Sequence, residues 1–443
     1  MGNYQGYQKY QDSGVKWLGE IPEHWEQKRF KFSVNLINNK IEAENSNLSY
    51  MGLEHIESWT GKKIEDKNAS SEGIGSHFLP NDVLFGKLRP YLAKVYLSDI
   101  EGLASTEALV LRCKNNIFPK FLKYYILSRD FINIVDSSTF GAKMPRASWD
   151  FIGNLFFIFP PLNEQEKIAQ FLDYKTKQID ELIKKKETLI EKLDEKRTAI
   201  ISHAVTKGLD SSVPIKDSGI EWLGDIPKHW KVIRLKHLAN KITDGEHISP
   251  KNIDIGIPLL SAKDIRERYI RFDDASYVTE EDAQVFWKRC KPEKGDILIV
   301  SRGATVGRIG FVEINTKFCL MGSVILIKLN DIVYPDFIYF ATNQNYVQKS
   351  IIQVSDASAQ QAIYLIDVKE TKFFIPPYNE QKQISKHLDQ KTAQIDQQKA
   401  KIKQAIELLK EYRTSLITNA VTGKIDVSQI AIPSPQKPQP QKG

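Results

Sequence analysis

Residues 12–25 read DSGVKWLGEIPEHW, and residues 217–230 read DSGIEWLGDIPKHW. Ten of the fourteen positions are identical at an offset of 205. A second pair of anchors follows. Residues 159–180 begin FPPLNEQEKIAQFLD and end KTKQID; residues 375–396 begin IPPYNEQKQISKHLD and end KTAQID. The offset is now 216, so the second copy holds 11 more residues between its anchors. Residues 197–206 (RTAIISHAVT) match residues 413–422 (RTSLITNAVT). The chain is one unit written twice, a globular domain followed by a long helix. Between the anchors, residues 30–158 and 232–374 share little beyond apolar positions and one strand–turn. A constant frame holding a variable part implies a fixed partner for the frame and a different target for each domain.

Each double proline (160–161 and 376–377) marks the start of a helix, with Asn163 as N-cap and Glu166 at the capping-box position in the first copy. Steps of four and three give Ile168, Leu172, Lys175, Ile179, Leu182, Lys186, Leu189, Leu193, Lys196 and Ile200. The second copy gives Ile384, Leu388, Lys391, Ile395, Gln398, Ile402, Ala405, Leu409, Tyr412 and Leu416. This predicts a coiled-coil seam between two antiparallel helices. Residues 163–203 carry nine acidic and nine basic side chains. That balance points to protein contact rather than a nucleic-acid surface. Phe171, Ile183, Ile190 and Ile406 lie off this seam and are expected to receive helices of another chain.

Within the divergent domains, residues 81–95 (NDVLFGKLRPYLAKV) and 295–309 (GDILIVSRGATVGRI) each read as an apolar strand running into a basic turn. The first turn offers Lys87, Arg89, Tyr91 and Lys94; the second offers Ser301, Arg302, Thr305 and Arg308. A second loop precedes each helix. Residues 137–146 carry Lys143 and Arg146, and residues 353–362 carry Gln360 and Gln361. Arginine reads guanine bidentately, glutamine reads adenine, and lysine, serine and threonine hold phosphates. A Lys/Arg-to-Gln exchange on one scaffold suits two domains that read different bases.

The formal charge of +7 suits a polyanionic partner such as double-stranded DNA. The chain has no apolar run of membrane-spanning length and begins with a polar segment, so membrane insertion and secretion are not expected. Three cysteines without ligand spacing fit the cytoplasm and argue against a disulfide framework or a zinc site. Catalytic signatures also fail. FPPL and IPPY place Phe159 and Ile375 where an amino-methyltransferase needs a polar group. Pro335-Asp336 with Glu370-Thr371-Lys372 mimics a nuclease pattern, but the first copy lacks its carboxylates. GATVGRIG lacks the P-loop lysine. His247, in the polar loop 243–250, has no partner nucleophile or ligand set and reads as structural.

With the paired WLGEIPEHW and WLGDIPKHW segments, the PPLNEQ and PPYNEQ helix starts, KTKQID with KTAQID, and GDILIVSRGATVGRIG, the chain resembles the specificity subunits of type I DNA restriction–modification enzymes. The resemblance spans nearly the whole length. It implies an α+β fold, with two target-recognition domains separated by two long paired antiparallel helices in a pseudo-two-fold repeat. The expected boundaries are a lead-in at 1–25, recognition domains at 26–158 and 231–374, and helical regions at 159–210 and 375–425. A repeated lead-in at 211–230 and a disordered tail at 426–443 complete them. The resemblance further implies a non-catalytic chain reading a split site, with a spacer set by helix length. Two modification subunits would carry S-adenosylmethionine and methylate adenine N6, and restriction (motor-nuclease) subunits would add to that complex. The competing readings are a coiled-coil scaffold without DNA readout and an S-like subunit of a methylation-only system.

Overall fold

The computed structural model describes residues 4–42, 46–64, 73–139, 143–219, 224–248, 250–266, 269–342, 347 and 362–432. The chain divides into two compact units, Met1–Thr188 with Ile402–Gly443, and Leu189–Lys401. Each unit joins one divergent domain to stretches of both long helices, Leu162–Lys207 and Tyr378–Val421. No helix among the described residues is long and apolar enough to cross a membrane.

The centre of each domain is a four-stranded antiparallel sheet. In the first unit its strands are β1 (Val34–Ile37), β2 (Val83–Gly86), β3 (Val95–Leu97) and β4 (Ala108–Cys113), in the order β1-β4-β2-β3. In the second they are β5 (Ala239–Asp244), β6 (Ile297–Val300), β7 (Ile309–Phe311) and β8 (Val324–Leu329), in the order β5-β8-β6-β7. The order is the same although the sequences diverge. β2 and β6 are buried along their whole length, because VLFG and ILIV put apolar groups on both faces. A short strand before each long helix, Phe156–Phe159 or Lys372–Ile375, pairs antiparallel with Glu26–Arg29 or Lys231–Arg234. Each domain thereby closes on the strand that directly follows its lead-in.

The repeated anchors are joints. In the DSG turn, the Asp12 carboxylate accepts the Gly14 N–H, and Asp217 accepts that of Gly219. Gly19 (φ +65°) and Gly224 (φ +67°) take left-handed conformations that only glycine adopts cheaply. The buried Trp25 indole donates to Glu164 at 3.1 Å, and Trp230 donates to Glu380 at the same distance. His24 and His229 bond the second oxygen of the same carboxylates, at 2.9 and 2.7 Å. The neighbouring glutamines are fully buried. Gln165 donates to the carbonyls of Asn116 and Pro160 and accepts from the Phe118 N–H. Gln381 repeats this with Ile332, Pro376 and Tyr334. The first long helix begins at Leu162, so Asn163 lies inside its first turn and is not the N-cap. The acidic residue that matters there is Glu164, held by the lead-in beside the positive helix end.

The helices run antiparallel within each unit. In the first, Lys167 reaches the Ser428 carbonyl (3.5 Å), while Asp180 pairs with Arg413 (3.0 Å). In the second, Asp194 pairs with Lys399 and Arg197 with Asp396 (both within 2.6 Å). Asp180 and Asp396 close the two QID motifs, and Arg197 and Arg413 open the two RT motifs, so each copy's aspartate meets the other copy's arginine. The predicted seam is displaced by one residue at every second position. Thr176 is buried and Ile183, Ile190 and Arg197 are half-buried, while Leu182, Leu189 and Lys196 are exposed. In the second helix Thr392, Lys399, Ile406 and Arg413 face inward, while Lys391 and Gln398 are exposed. Ile183, Ile190 and Ile406 therefore belong to the seam and form no second stripe. Phe171, expected to meet another chain, is instead fully buried in the first core, with Tyr4 edge-on at 5.5 Å.

Part of the expected tail is folded. The Asp426 N–H donates to the Gln5 carbonyl, Tyr10 donates to the Gly423 carbonyl, and Val427 is buried in the first core. Residues 433–443 lie outside the described residues.

Candidate nucleic-acid interface

β2 and β6 deliver their chains to the same construction. Past β2, the Lys87 N–H donates to the Glu107 carbonyl, the Ala147 N–H to the Lys87 carbonyl, and the Arg89 N–H to the Pro145 carbonyl, all at 2.8–2.9 Å. Leu88 and Arg146 form the antiparallel bridge between them. Past β6, the Ser301 N–H donates to the Ser323 carbonyl and the Ile363 N–H to the Ser301 carbonyl, with Arg302 bridging Ala362. In each domain a short ladder thus joins the turn after the buried strand to the last residues before the closing helix, and in register Arg146 corresponds to Ala362 and Glu107 to Ser323.

The side chains divide into those turned outward and those spent inside the domain. Arg89, Tyr91 and Lys143 are exposed, and Lys87 is half-buried. Arg89 has φ +51°, so it stands at a sharp left-handed turn ahead of Pro90. Arg146 is exposed but held by the Glu107 carboxylate at 3.0 and 3.3 Å. Lys94, expected to face a ligand, instead donates its ammonium to the carbonyls of Leu53 and Ile56. In the second domain Arg302 is exposed and makes no ion pair or side-chain hydrogen bond among the described residues. Ser301, expected to face a ligand, is instead buried at 4 % exposure, and its backbone and hydroxyl serve the ladder and the Gly322 carbonyl. Arg308 donates to the Ile265 carbonyl, and the half-buried Thr305 accepts the Arg308 N–H. Gln360 and Gln361 lie outside the described residues.

Sequence reading missed Glu107, which is silent as a lone acid three residues after Ala104. It also missed the loop carbonyls that consume Lys94, which no side-chain pattern encodes. His247 bonds Asp244 at 2.7 Å, and Arg289 pairs with the same carboxylate. Burial works against the Asp244 charge, but the Arg289 and His247 contacts outweigh it and hold its carboxyl below the usual range. Glu370 pairs with Lys236 (2.6 Å) and Arg234 (3.2 Å), so the nuclease-like acid is part of a surface ion network.

The sequence profile of the type I restriction modification DNA specificity domain matches residues 26–192 and 227–408, once on each copy. The chain belongs to that family. Reading a DNA sequence for a type I restriction–modification system is accordingly its function. Among its relatives, it is 27% identical over 431 residues to the putative type I restriction enzyme MjaX specificity subunit of Methanocaldococcus jannaschii, covering 93% of this chain and 96% of that one. It is 24% identical over 355 residues to the EcoBI specificity subunit of Escherichia coli, covering 78% and 74%. Two solved structures share the fold. One, from work on complex assembly and conformational transition of the type I R–M system, matches with a TM-score of 0.71 at 19% identity, covering 90% of this chain and 98% of that one. The HsdS subunit of Thermoanaerobacter tengcongensis matches with a TM-score of 0.55 at 20% identity, covering 94% and 100%.

Proposed function

We propose that each domain of this specificity subunit reads one half of a split DNA site through its ladder-joined loops. The observation that carries this is the shared ladder. On two domains of divergent sequence, the same backbone scaffold presents exposed cations, Arg89 and Lys143 in one and Arg302 in the other. The scaffold is fixed by main-chain bonds, so side chains can change without disturbing it. Lysines there supply phosphate affinity, and an arginine paired with guanine supplies about 1–3 kcal/mol of discrimination.

The chain itself carries no chemistry in this reading. Two modification subunits, one per copy of the frame, bring S-adenosylmethionine and methylate adenine N6, and restriction subunits join that complex in the cytoplasm. The exposed leucines Leu182, Leu189 and Leu408, between 43% and 58% accessible, supply apolar contacts for such partners in place of the buried Phe171 and Ile406. Methylation profiling of DNA from cells expressing the wild type or Arg302→Ala with the partner subunits tests the proposal. A split adenine-methylated motif whose one half relaxes in the variant supports it. Loss that is uniform across sequences makes Arg302 a phosphate contact, and methylation by the purified chain alone refutes the non-catalytic role.

A further inference from the structure

Glu107 stands where the two loops of the first reader meet. Its carbonyl accepts the Lys87 N–H from one loop, and its carboxylate holds Arg146 of the other. The two oxygens take Arg146 Nε at 3.0 Å and Nη2 at 3.3 Å. A guanidinium presents five N–H donors in a planar fork. Glu107 occupies the side edge, formed by Nε and one N–H of Nη2. The end edge, formed by Nη1 and the other N–H of Nη2, still offers two parallel donors. Their spacing matches O6 and N7 of guanine in the major groove. Arg146 remains 49% accessible, and its Nη1 bonds no group among the described residues.

A free arginine on a loop orders several side-chain torsions when it binds, and a carboxylate that sets the plane beforehand removes much of that cost. We infer that Glu107 is a positioning residue that pre-orients Arg146 as a guanine reader, so that the half-site read by the first domain contains a guanine facing Arg146. This rests on the loops being the DNA interface. The second domain lacks both members of the pair together. Ser323 holds the Glu107 place in the ladder, with its hydroxyl accepting the Ala262 N–H, and Ala362 holds the Arg146 place. The second half-site is therefore read without this contact.

The test uses the full chain co-expressed with its modification subunits on a plasmid library randomised across the wild-type site. The variants are Arg146→Ala, Glu107→Ala, Glu107→Gln and the Arg146→Ala/Glu107→Ala double, each checked for wild-type melting behaviour. Arg146→Ala and Glu107→Ala should both lose guanine preference at one and the same position of one half-site, by about tenfold or more. The double variant should lose no more than Arg146→Ala does. Glu107→Gln, which keeps one acceptor for Arg146, should lose less than Glu107→Ala, and the other half-site should be unchanged throughout. If Arg146→Ala alone changes guanine preference and Glu107→Ala does not, the positioning role is overturned while the interface stands. A rise in methylation of all sites with Glu107→Ala also overturns it, marking Glu107 as an electrostatic brake. If Arg146→Ala changes no base preference, the assignment of this loop to the interface falls with it.

Discussion

The two copies of one ion pair should differ sharply in energetic weight. Arg413 has a side chain only 6% accessible; it donates to Asp180 at 3.0 Å and to the carbonyls of Trp59 and Thr60 at 2.8 and 3.0 Å. Arg197, its counterpart in the repeat, pairs with Asp396 at 2.6 Å with the two side chains 31% and 54% accessible. Arg413→Met keeps the aliphatic volume but strands two carbonyls and leaves Asp180 with Lys62 as its remaining partner (2.7 Å). Removing one member of a buried pair costs about 3–5 kcal/mol, and the retained Lys62 places this case near the lower end, at about 3 kcal/mol. Arg197→Met breaks a pair that water reaches on both sides, worth about 0.2–1 kcal/mol. Peptide-resolved hydrogen exchange under native conditions reads each helix stretch separately. The protection of residues 402–421 should fall by about 100-fold in Arg413→Met. Protection of the stretch around Arg197 should fall by no more than about fivefold in Arg197→Met. Equal losses in the two variants would refute the argument that burial, not pairing, sets the weight of this contact.

The buried glutamines, matched in the two copies, give a second test. Gln165→Leu or Gln381→Leu removes three hydrogen bonds to backbone groups at a fully buried position, and each should destabilise its own unit by about 3 kcal/mol, measured by denaturant unfolding. The acid limb of stability supplies a third. The Asp244 carboxyl is held below the usual range against burial by Arg289 and His247, so its contribution is complete above the ordinary carboxylate range. It fades as pH falls through the lowered native value, and Asp244→Asn should flatten the pH dependence of the second unit's melting temperature below about pH 4.

The repeat was legible because its anchors are local constellations with fixed chemistry. A DSG turn needs its aspartate and glycine, and a tryptophan and histidine need one glutamate at a helix start. The apolar strands β2 and β6 were legible because four apolar residues before a basic turn have few alternatives. The helix seam was only partly legible. Leu182 and Ile183, or Leu189 and Ile190, are equally apolar neighbours, and a period between 3.5 and 3.6 cannot choose between them. The polar residues Thr176, Arg197, Lys399 and Arg413 settle the phase, and they are inward only because partners distant in sequence receive them.

The candidate reader shows the same division. Composition marked its cations but could not say which were spent. Lys94 is consumed by carbonyls some forty residues earlier, Ser301 by the ladder, and Arg308 by Ile265. The sequence alone determined that this chain is a duplicated frame carrying two unlike domains, because repetition and apolar periodicity are properties of the order of residues. Which charges face outward, and that Glu107 stands behind Arg146, was decided by the tertiary structure alone. Burial and hydrogen-bond partnership depend on groups that only folding brings together.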